Sequence, residues 1–372
     1  MSLEKWFVGD DDKQAGSDSP SNAAAPGAWW NPPQAPPKAP RETVGASMSA
    51  TRIVGFIRLF SRCEFLNRCV RARIAHAMRN FVDKRMNAQM AKDSPSGQAH
   101  TQFADVPGRR LAYRTFGGGT PIVLCIRFRG TMDSWDPLFL DSLAARGFSV
   151  TIFDYSGLGS STGEPTYQPA SLARDAIDLM DALGLARAVV GGWSIGGIAA
   201  QLVMAQVPQR VSHLVLIATT PPGQLVKTGE ALFYRLAGRE NDFEDFLSVF
   251  FEPASPDGRI AAERSAQRLA ERRDDASPEV PFEWARAQLG EGPRNPMFPV
   301  EAVLQALQAT TIPILHIGGD HDIVFPVENW YALNGQLPTL QLLTLPSAGH
   351  GPQLQYPLAS ARHIAAFVEP AR

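Results

Sequence analysis

Ser194 stands between two glycines in Gly192-Trp193-Ser194-Ile195-Gly196, with the apolar, β-prone run Ala188-Val189-Val190 before it and the small-residue run Gly197-Ile198-Ala199-Ala200 after it. In that setting the Gly-x-Ser-x-Gly spacing predicts a strand-to-helix turn so tight that a Cβ at either glycine would clash with the neighbouring strand or helix. Such a turn holds the serine hydroxyl in a strained conformation at the mouth of a sheet. The helix behind it aims unpaired N–H groups and its positive dipole end at the reacting centre.

A serine hydroxyl is a poor nucleophile at neutral pH. It needs a base, and the base needs an acid that holds it in one tautomer. His350 lies in the glycine-flanked segment Pro346-Ser347-Ala348-Gly349-His350-Gly351-Pro352, after the last apolar run and before a terminal helix, where an imidazole can reach Ser194. The other histidines fit worse: His76 and His100 precede the domain, His213 opens a strand, His316 sits inside an apolar strand and His363 lies in the final helix. For the acid, Ile317-Gly318-Gly319-Asp320-His321-Asp322-Ile323-Val324-Phe325-Pro326 follows another strand and offers two carboxylates. Asp322 is assigned as the acid, and Asp320 as a turn former that caps backbone N–H groups. No metal is expected, because the Asp320-His321-Asp322 cluster occupies one short loop and is better explained by this arrangement.

These side chains need a scaffold. From about Thr101 onward, short apolar runs alternate with helix-length segments, the pattern of a sheet with crossover helices. Strands are predicted over 111–116, 121–126, 148–153, 188–192, 211–217, 312–317 and 340–345. Runs such as Ile122-Val123-Leu124-Cys125-Ile126 and Leu214-Val215-Leu216-Ile217 are apolar without alternation, as parallel strands covered on both faces should be. The class is α/β. Over about 221–299 the rhythm gives way to charged, helix-prone sequence with Phe233, Phe243, Phe246, Phe250 and Phe251, which reads as an inserted helical lid. Phe243, Phe246 and Phe250 recur at helical spacing, which suits either the lid's own core or an apolar substrate wall.

Ahead of the domain, residues 1–50 are rich in Pro and Ala, and the stretch Asn31-Pro32-Pro33-Gln34-Ala35-Pro36-Pro37-Lys38-Ala39-Pro40 blocks helix and sheet hydrogen bonding alike. This part reads as a disordered tail, and its Trp29-Trp30 pair is assigned no function. Over 51–93, apolar Ile53, Ile57, Phe60, Cys63, Leu66, Val70, Ile74, Met78 and Phe81 recur at steps of three and four, while ten Lys and Arg face three Asp and Glu. That is a basic amphipathic helix. It suits packing on the domain or on a second copy of the chain, or contact with an anionic membrane surface or acidic partner. Residues 94–101 read as a linker, leaving 102–372 for the domain.

Composition narrows the classes further. With 35 Lys and Arg against 37 Asp and Glu, a formal charge of −2, no basic field points to nucleic acid. Three cysteines, Cys63, Cys69 and Cys125, are too few and too irregular for a disulfide framework or a Cys-rich zinc site. No apolar run has the length of a membrane span, and the segment from Met1 to Lys13 is acidic, unlike a secretory signal. The expectation is a cytoplasmic protein, peripheral to a membrane if the basic helix works there.

With these motifs in order, the chain resembles the α/β-hydrolase superfamily, in its serine-nucleophile branch of esterases, lipases and haloperoxidase-like enzymes, from about Phe103 to the C-terminus. Val106-Pro107-Gly108-Arg109-Arg110-Leu111-Ala112-Tyr113-Arg114 belongs to that resemblance. So does Asp154-Tyr155-Ser156-Gly157-Leu158-Gly159-Ser160-Ser161, which is similar to the family's architectural Asp-x-x-Gly-x-Gly-x-Ser turn, so Asp154 is not the expected acid. The resemblance implies a mostly parallel eight-stranded sheet with helices on both faces, a triad of Ser194, His350 and Asp322, and no cofactor.

One departure stands out. Where many relatives carry His-Gly after the third strand, this chain reads Cys125-Ile126-Arg127-Phe128-Arg129-Gly130. Counting back from Trp135, Phe128 takes the family's oxyanion-hole position, where its amide would work with that of Ile195. Arg127 replaces a glycine, and its charge belongs either in a structural ion pair, which is the preferred expectation, or against an acidic substrate.

The function implied is attack of Ser194 on an acyl carbon, with a carboxylic ester or lactone of an apolar small molecule as the first expectation. Hydrolysis of a C–C bond and cofactor-free haloperoxidase or perhydrolase chemistry use the same triad. Haloalkane dehalogenases and epoxide hydrolases need a carboxylate nucleophile and do not fit. A non-catalytic adaptor acting through the basic helix is the alternative from another class; the complete set of Ser194, His350 and Asp322 argues against it.

Overall fold

A computed structural model describes residues 94–369 apart from 272–274 and 291. The tail expected over 1–50 and the basic helix expected over 51–93 lie outside the described residues. The sheet contains β1 (Gln102–Val106), β2 (Arg109–Gly117), β3 (Thr120–Cys125), β4 (Phe148–Phe153), β5 (Ala188–Trp193), β6 (Val211–Ile217), β7 (Ile314–Gly319) and β8 (Leu340–Leu345). Their order is β1-β2-β4-β3-β5-β6-β7-β8. The pairs β1·β2 and β2·β4 are antiparallel, and every other pair is parallel.

The central strands lack alternation for the reason their sequence suggests: β5 and β7 are buried along their whole length, with helices over both faces. β1 is missing from the strands predicted residue by residue. It is an edge strand of Gln102-Phe103-Ala104-Asp105-Val106 in which only Ala104 is fully buried, so hydrophobic periodicity does not mark it. A two-residue Pro107-Gly108 turn returns it onto β2, with Gly108 in the left-handed region at φ +78°.

The segment expected to be a linker carries one turn of helix, α1 (Pro95–Gln98). Proline at its first position and Ser94 as a cap favour that turn, with Ser94 Oγ accepting from Gly97 N at 3.1 Å. Ser96 N then donates to Asp141 at 2.8 Å, which pins the segment to α2 (Pro137–Ala144). The crossover helices follow as α3 (Pro169–Ala182) and α4 (Ile195–Gln206), which pack on each other.

Between β6 and β7 the chain runs through α5 (Ala231–Ala237), α6 (Phe243–Phe250), α7 (Pro256–Glu271), α8 (Phe282–Leu289) and α9 (Glu301–Ala309). The sheet domain closes with α10 (Glu328–Tyr331), α11 (Pro352–Gln355) and α12 (Pro357–Val368), of which α12 packs against α2.

Much of the insertion is clamped to the sheet domain by buried polar contacts. The fully buried Asp136 carboxylate accepts from Arg268 Nε at 2.8 Å and Nη2 at 2.6 Å, and from Ser265 Oγ at 2.7 Å, which fixes α7. Ser277 donates its Oγ–H to Asp154 at 2.6 Å and its N–H to Asp133 at 2.7 Å. No helix among the described residues is long and apolar enough to cross a membrane.

Candidate active site

The turn from β5 into α4 shows why its glycines are there. A Cβ at Gly192 would lie 2.0 Å from Gly196 O, and one at Gly196 would lie 2.1 Å from Cys125 O at the end of β3. The helix start is therefore pressed against two strands at once. Gly197 adds a third such contact, 2.6 Å from the Thr219 Cβ. Ser194 itself sits at φ +61°, ψ −125°, a conformation that costs a residue with a Cβ and that the surroundings must enforce. Its N–H donates to Ile217 O at 3.0 Å, while its carbonyl accepts from Gly197 N at 2.9 Å and Thr219 Oγ1 at 2.6 Å.

His350 reaches this turn from the segment after β8. Its Nε2 lies 2.8 Å from Ser194 Oγ. Its backbone is held rather than free: His350 N donates to Val249 O at 3.0 Å, Gly351 N donates to Phe250 O at 2.9 Å, and Trp193 Nε1 donates to His350 O at 2.7 Å. The end of α6 thus helps to place the imidazole. Phe250 stacks on the His350 ring with centroids 6.2 Å apart, and it continues the Phe243-Phe246-Phe250 contact line of α6.

Asp322 completes the line. Its two carboxylate oxygens lie 3.0 and 2.9 Å from His350 Nδ1, and Oδ1 also accepts from Val324 N at 2.8 Å and Phe325 N at 3.0 Å. A carboxylate can only accept, so Nδ1 carries the proton and Nε2 is left to accept from the serine hydroxyl. Ser194, His350 and Asp322 are all buried. Asp320 instead accepts from Ala348 N at 3.2 Å and contacts His321 Nδ1 at 2.7 Å, shaping the turn beside them.

Of the remaining histidines, His316 is buried in β7 against Trp330, where burial pushes its pKa down to about 3. His213 lies against Phe367, and His363 is on α12. Asp154 ties three segments together, accepting from Met132 N at 2.7 Å, Ser160 N at 2.9 Å and Ser277 Oγ at 2.6 Å.

The two residues expected to supply oxyanion amides are Ile195 and Phe128. Ile195 is the first residue of α4, so its N–H has no partner within the helix. Phe128 lies in the turn after β3, two residues beyond the Ile126 carbonyl that abuts Gly196. Arginines flank Phe128 on both sides. Arg127 lies over the rings of Trp193 and Phe250, 5.2 and 4.9 Å from their centroids, and donates from Nη1 to Phe128 O at 2.8 Å. The guanidinium is planar and weakly hydrated, which suits it to these aromatic faces. Burial pushes the Arg127 pKa down to about 10, and burial with repulsion from Arg127 pushes Arg129 down to about 9. Both stay cationic at neutral pH.

Sequence reasoning missed Tyr167, whose hydroxyl accepts from Arg129 N at 2.8 Å. It also missed the Arg129 side chain, which donates to Ala237 O at 3.1 Å and Arg239 O at 3.2 Å in the insertion. The only local signal for either is the Tyr167-Gln168-Pro169 lead into α3, which says nothing of a contact with the 127–130 turn.

A family model described as the alpha/beta hydrolase fold matches residues 120–357. The chain is 28% identical over 282 residues to the dihydrolipoyllysine-residue acetyltransferase component of the acetoin cleaving system of Pseudomonas putida, covering 74% of this chain and 71% of that one. It is 28% identical over 258 residues to the pimeloyl-acyl-carrier-protein methyl ester esterase of Nitrosomonas europaea, covering 65% of this chain and 93% of that one. Among solved structures it is similar to an alpha/beta hydrolase fold protein from Chitinophaga pinensis, with 27% identity, a TM-score of 0.62, and coverage of 73% of this chain and 98% of that one. Other similar proteins bear the names of a non-heme bromoperoxidase, an epoxide hydrolase and a meta-cleavage product hydrolase.

Proposed function

Because the chain belongs to the alpha/beta hydrolase fold family, we propose that it is a serine hydrolase that cleaves a carboxylic ester or lactone through an acyl-enzyme. The observation that carries this reading is the unbroken line from Ser194 Oγ through His350 Nε2, at 2.8 Å, to the Asp322 carboxylate, at 2.9 Å from Nδ1. Ser194 attacks the acyl carbon as His350 takes the hydroxyl proton. The alkoxide leaves with that proton, and His350 then activates a water that releases the acid from Ser194. Asp322 keeps the imidazole in the tautomer with Nε2 free and stabilises it when charged. The amides of Phe128 and Ile195 receive the negative charge of each tetrahedral intermediate.

The esterase among the relatives supports this choice of bond. The meta-cleavage product hydrolase and the bromoperoxidase support a second reading, C–C bond hydrolysis or cofactor-free haloperoxidase chemistry on the same three residues. The epoxide hydrolase brings no such support, since Ser194 supplies a hydroxyl where that chemistry needs a carboxylate. Labelling of the purified protein with a fluorophosphonate, followed by peptide mapping, tests the reading: modification belongs on Ser194 and vanishes in Ser194→Ala. A folded protein that takes no label sinks it and favours a non-catalytic adaptor. Graded p-nitrophenyl esters, lactones and a vinylogous diketone then separate the two chemistries.

The cytoplasm is the proposed location, with the basic stretch over 52–93 serving self-association or an anionic membrane surface. Liposome flotation of the full chain against a variant with Arg68, Arg71, Arg73 and Arg79 changed to Gln tests the membrane role. Equal flotation removes it.

A further inference from the structure

The turn after β3 places side chains where a glycine is the easy choice. Residues Arg127 to Gly130 form a four-residue turn closed by Gly130 N donating to Arg127 O at 3.1 Å. Arg129, third in the turn, sits at φ +54°, a left-handed conformation unfavourable for a residue with a Cβ. Something outside the turn has to hold it.

The Phe128-Arg129 peptide is gripped at both of its polar atoms. Its oxygen accepts from Arg127 Nη1 at 2.8 Å, and its N–H donates to the buried Tyr167 hydroxyl at 2.8 Å. The Tyr167 ring is itself wedged between Phe128, with centroids 4.6 Å apart, and Trp284 of α8, at 5.3 Å. On the far side, the Arg129 guanidinium bonds Ala237 O and Arg239 O and lies 4.9 Å from the centre of the Phe282 ring. With the 128–129 peptide fixed on one side and Arg127 O tied to Gly130 N on the other, the N–H of Phe128 between them has one direction left.

We propose that Tyr167 is a positioning residue of the oxyanion site: its hydroxyl holds the Phe128-Arg129 peptide in the left-handed turn and so aims the Phe128 N–H at the acyl oxygen. This rests on the serine-hydrolase reading above. Tyr167 acts here through the Phe128-Arg129 peptide, so its effect falls on the transition state, where charge develops on that oxygen, and not on ground-state binding.

The test is Tyr167→Phe, which keeps the ring and both of its stacking partners and removes only the acceptor. On a p-nitrophenyl ester, kcat is expected to fall about 10- to 100-fold, below the loss seen when an oxyanion donor is deleted outright, with KM within about twofold of wild type. Affinity for a trifluoromethyl ketone, which forms a tetrahedral oxyanion on Ser194, is expected to fall by the same factor. A merely structural tyrosine moves neither ratio. Wild-type kcat in the folded variant overturns the proposal, as does a loss of kcat with ketone affinity unchanged.

Arg127→Met releases the other atom of the same peptide while keeping an apolar chain over Trp193 and Phe250. It is expected to show the same signature, so the idea remains open to refutation if Tyr167→Phe does not fold, and wild-type kcat there overturns it. Fluorophosphonate labelling of the wild type separates the two levels. Ser194 that labels and turns over ester, beside a variant of unchanged kcat, removes the role of Tyr167 alone, whereas a wild type without label removes both.

Discussion

At the β5–α4 turn, the restraints on Ser194 are mostly backbone and steric: a Cβ added at Gly192 or Gly196 would lie 2.0 or 2.1 Å from a neighbouring carbonyl oxygen, and the main chain of Ser194 bonds Ile217 and Gly197, with the Thr219 hydroxyl added on its carbonyl. Across the site, the 127–130 turn is held largely by side chains, with Arg127 and Tyr167 on one peptide and Arg129 reaching into the insertion. Both elements carry a residue at positive φ, Ser194 at +61° and Arg129 at +54°. The first is enforced by the absence of Cβ atoms around it, the second by added polar groups. A turn fixed by backbone tolerates almost no change of its glycines but ignores distant side chains. A turn fixed by side chains can carry arginines, yet depends on every partner that holds it.

The largest expected effect concerns the acid. Asp322→Asn leaves the geometry in place but favours the wrong imidazole tautomer, and kcat on an ester is expected to fall about 10⁴-fold with little change in melting temperature. A loss of less than about tenfold would mean that Asp322 only shapes its loop, through Val324 N and Phe325 N, and that the line through His350 is not functional.

Gly196→Ala comes next and strikes the backbone-fixed side. Its methyl would meet Cys125 O at 2.1 Å, and the expected cost exceeds about 4 kcal/mol in denaturant unfolding, or the chain fails to fold. A cost below about 1 kcal/mol would erase the contrast between the two turns. On the side-chain-fixed part, Arg268→Met leaves the Asp136 carboxylate buried without its bidentate partner, at an expected cost of about 3 kcal/mol. Because no hydrogen bond joins the Ser194 turn to α7 among the described residues, fluorophosphonate labelling of the folded variant is expected to keep its wild-type rate. Slower labelling would show that α7, and not only the end of α6 that holds His350, bears on the Ser194 turn.

The contrast also explains what could be read from the sequence. Ser194 is legible because its flanking glycines are adjacent in sequence and their necessity is local. Asp322 and His350 are legible because each follows a strand and sits among turn-forming residues. The grip on the Phe128-Arg129 peptide is not legible, since Tyr167 meets the Arg129 amide across 38 positions and Thr166-Tyr167-Gln168 has no pattern of its own. The Asp136–Arg268 clamp spans 132 positions and is equally silent. The aromatic surroundings of Arg127 are not legible either, since nothing in one sequence says that Trp193 and Phe250 will fold their faces against it. β1 escaped because an edge strand with one buried residue lacks the hydrophobic period on which strand prediction depends.

The smallest effect is a matter of acidity and lies on the backbone-fixed side. His316 stacks on Trp330 with centroids 4.8 Å apart, Trp330 Nε1 donates to Thr219 O at 2.7 Å, and Thr219 Oγ1 donates to Ser194 O at 2.6 Å. Burial pushes the His316 pKa from 6.5 down to about 3, so between those values the unfolded chain binds a proton that the folded chain refuses. Folding stability from this residue is therefore full above about pH 6.5 and is lost progressively as the pH falls toward 3. His316→Phe keeps an aromatic ring on Trp330 and cannot be charged. At pH 7.5 its urea midpoint is expected near that of wild type, and at pH 4.5 it is expected to be the more stable of the two. If both proteins lose stability in parallel on acidification, the charge cost lies elsewhere, and the support beneath the Ser194 turn owes nothing to a neutral His316.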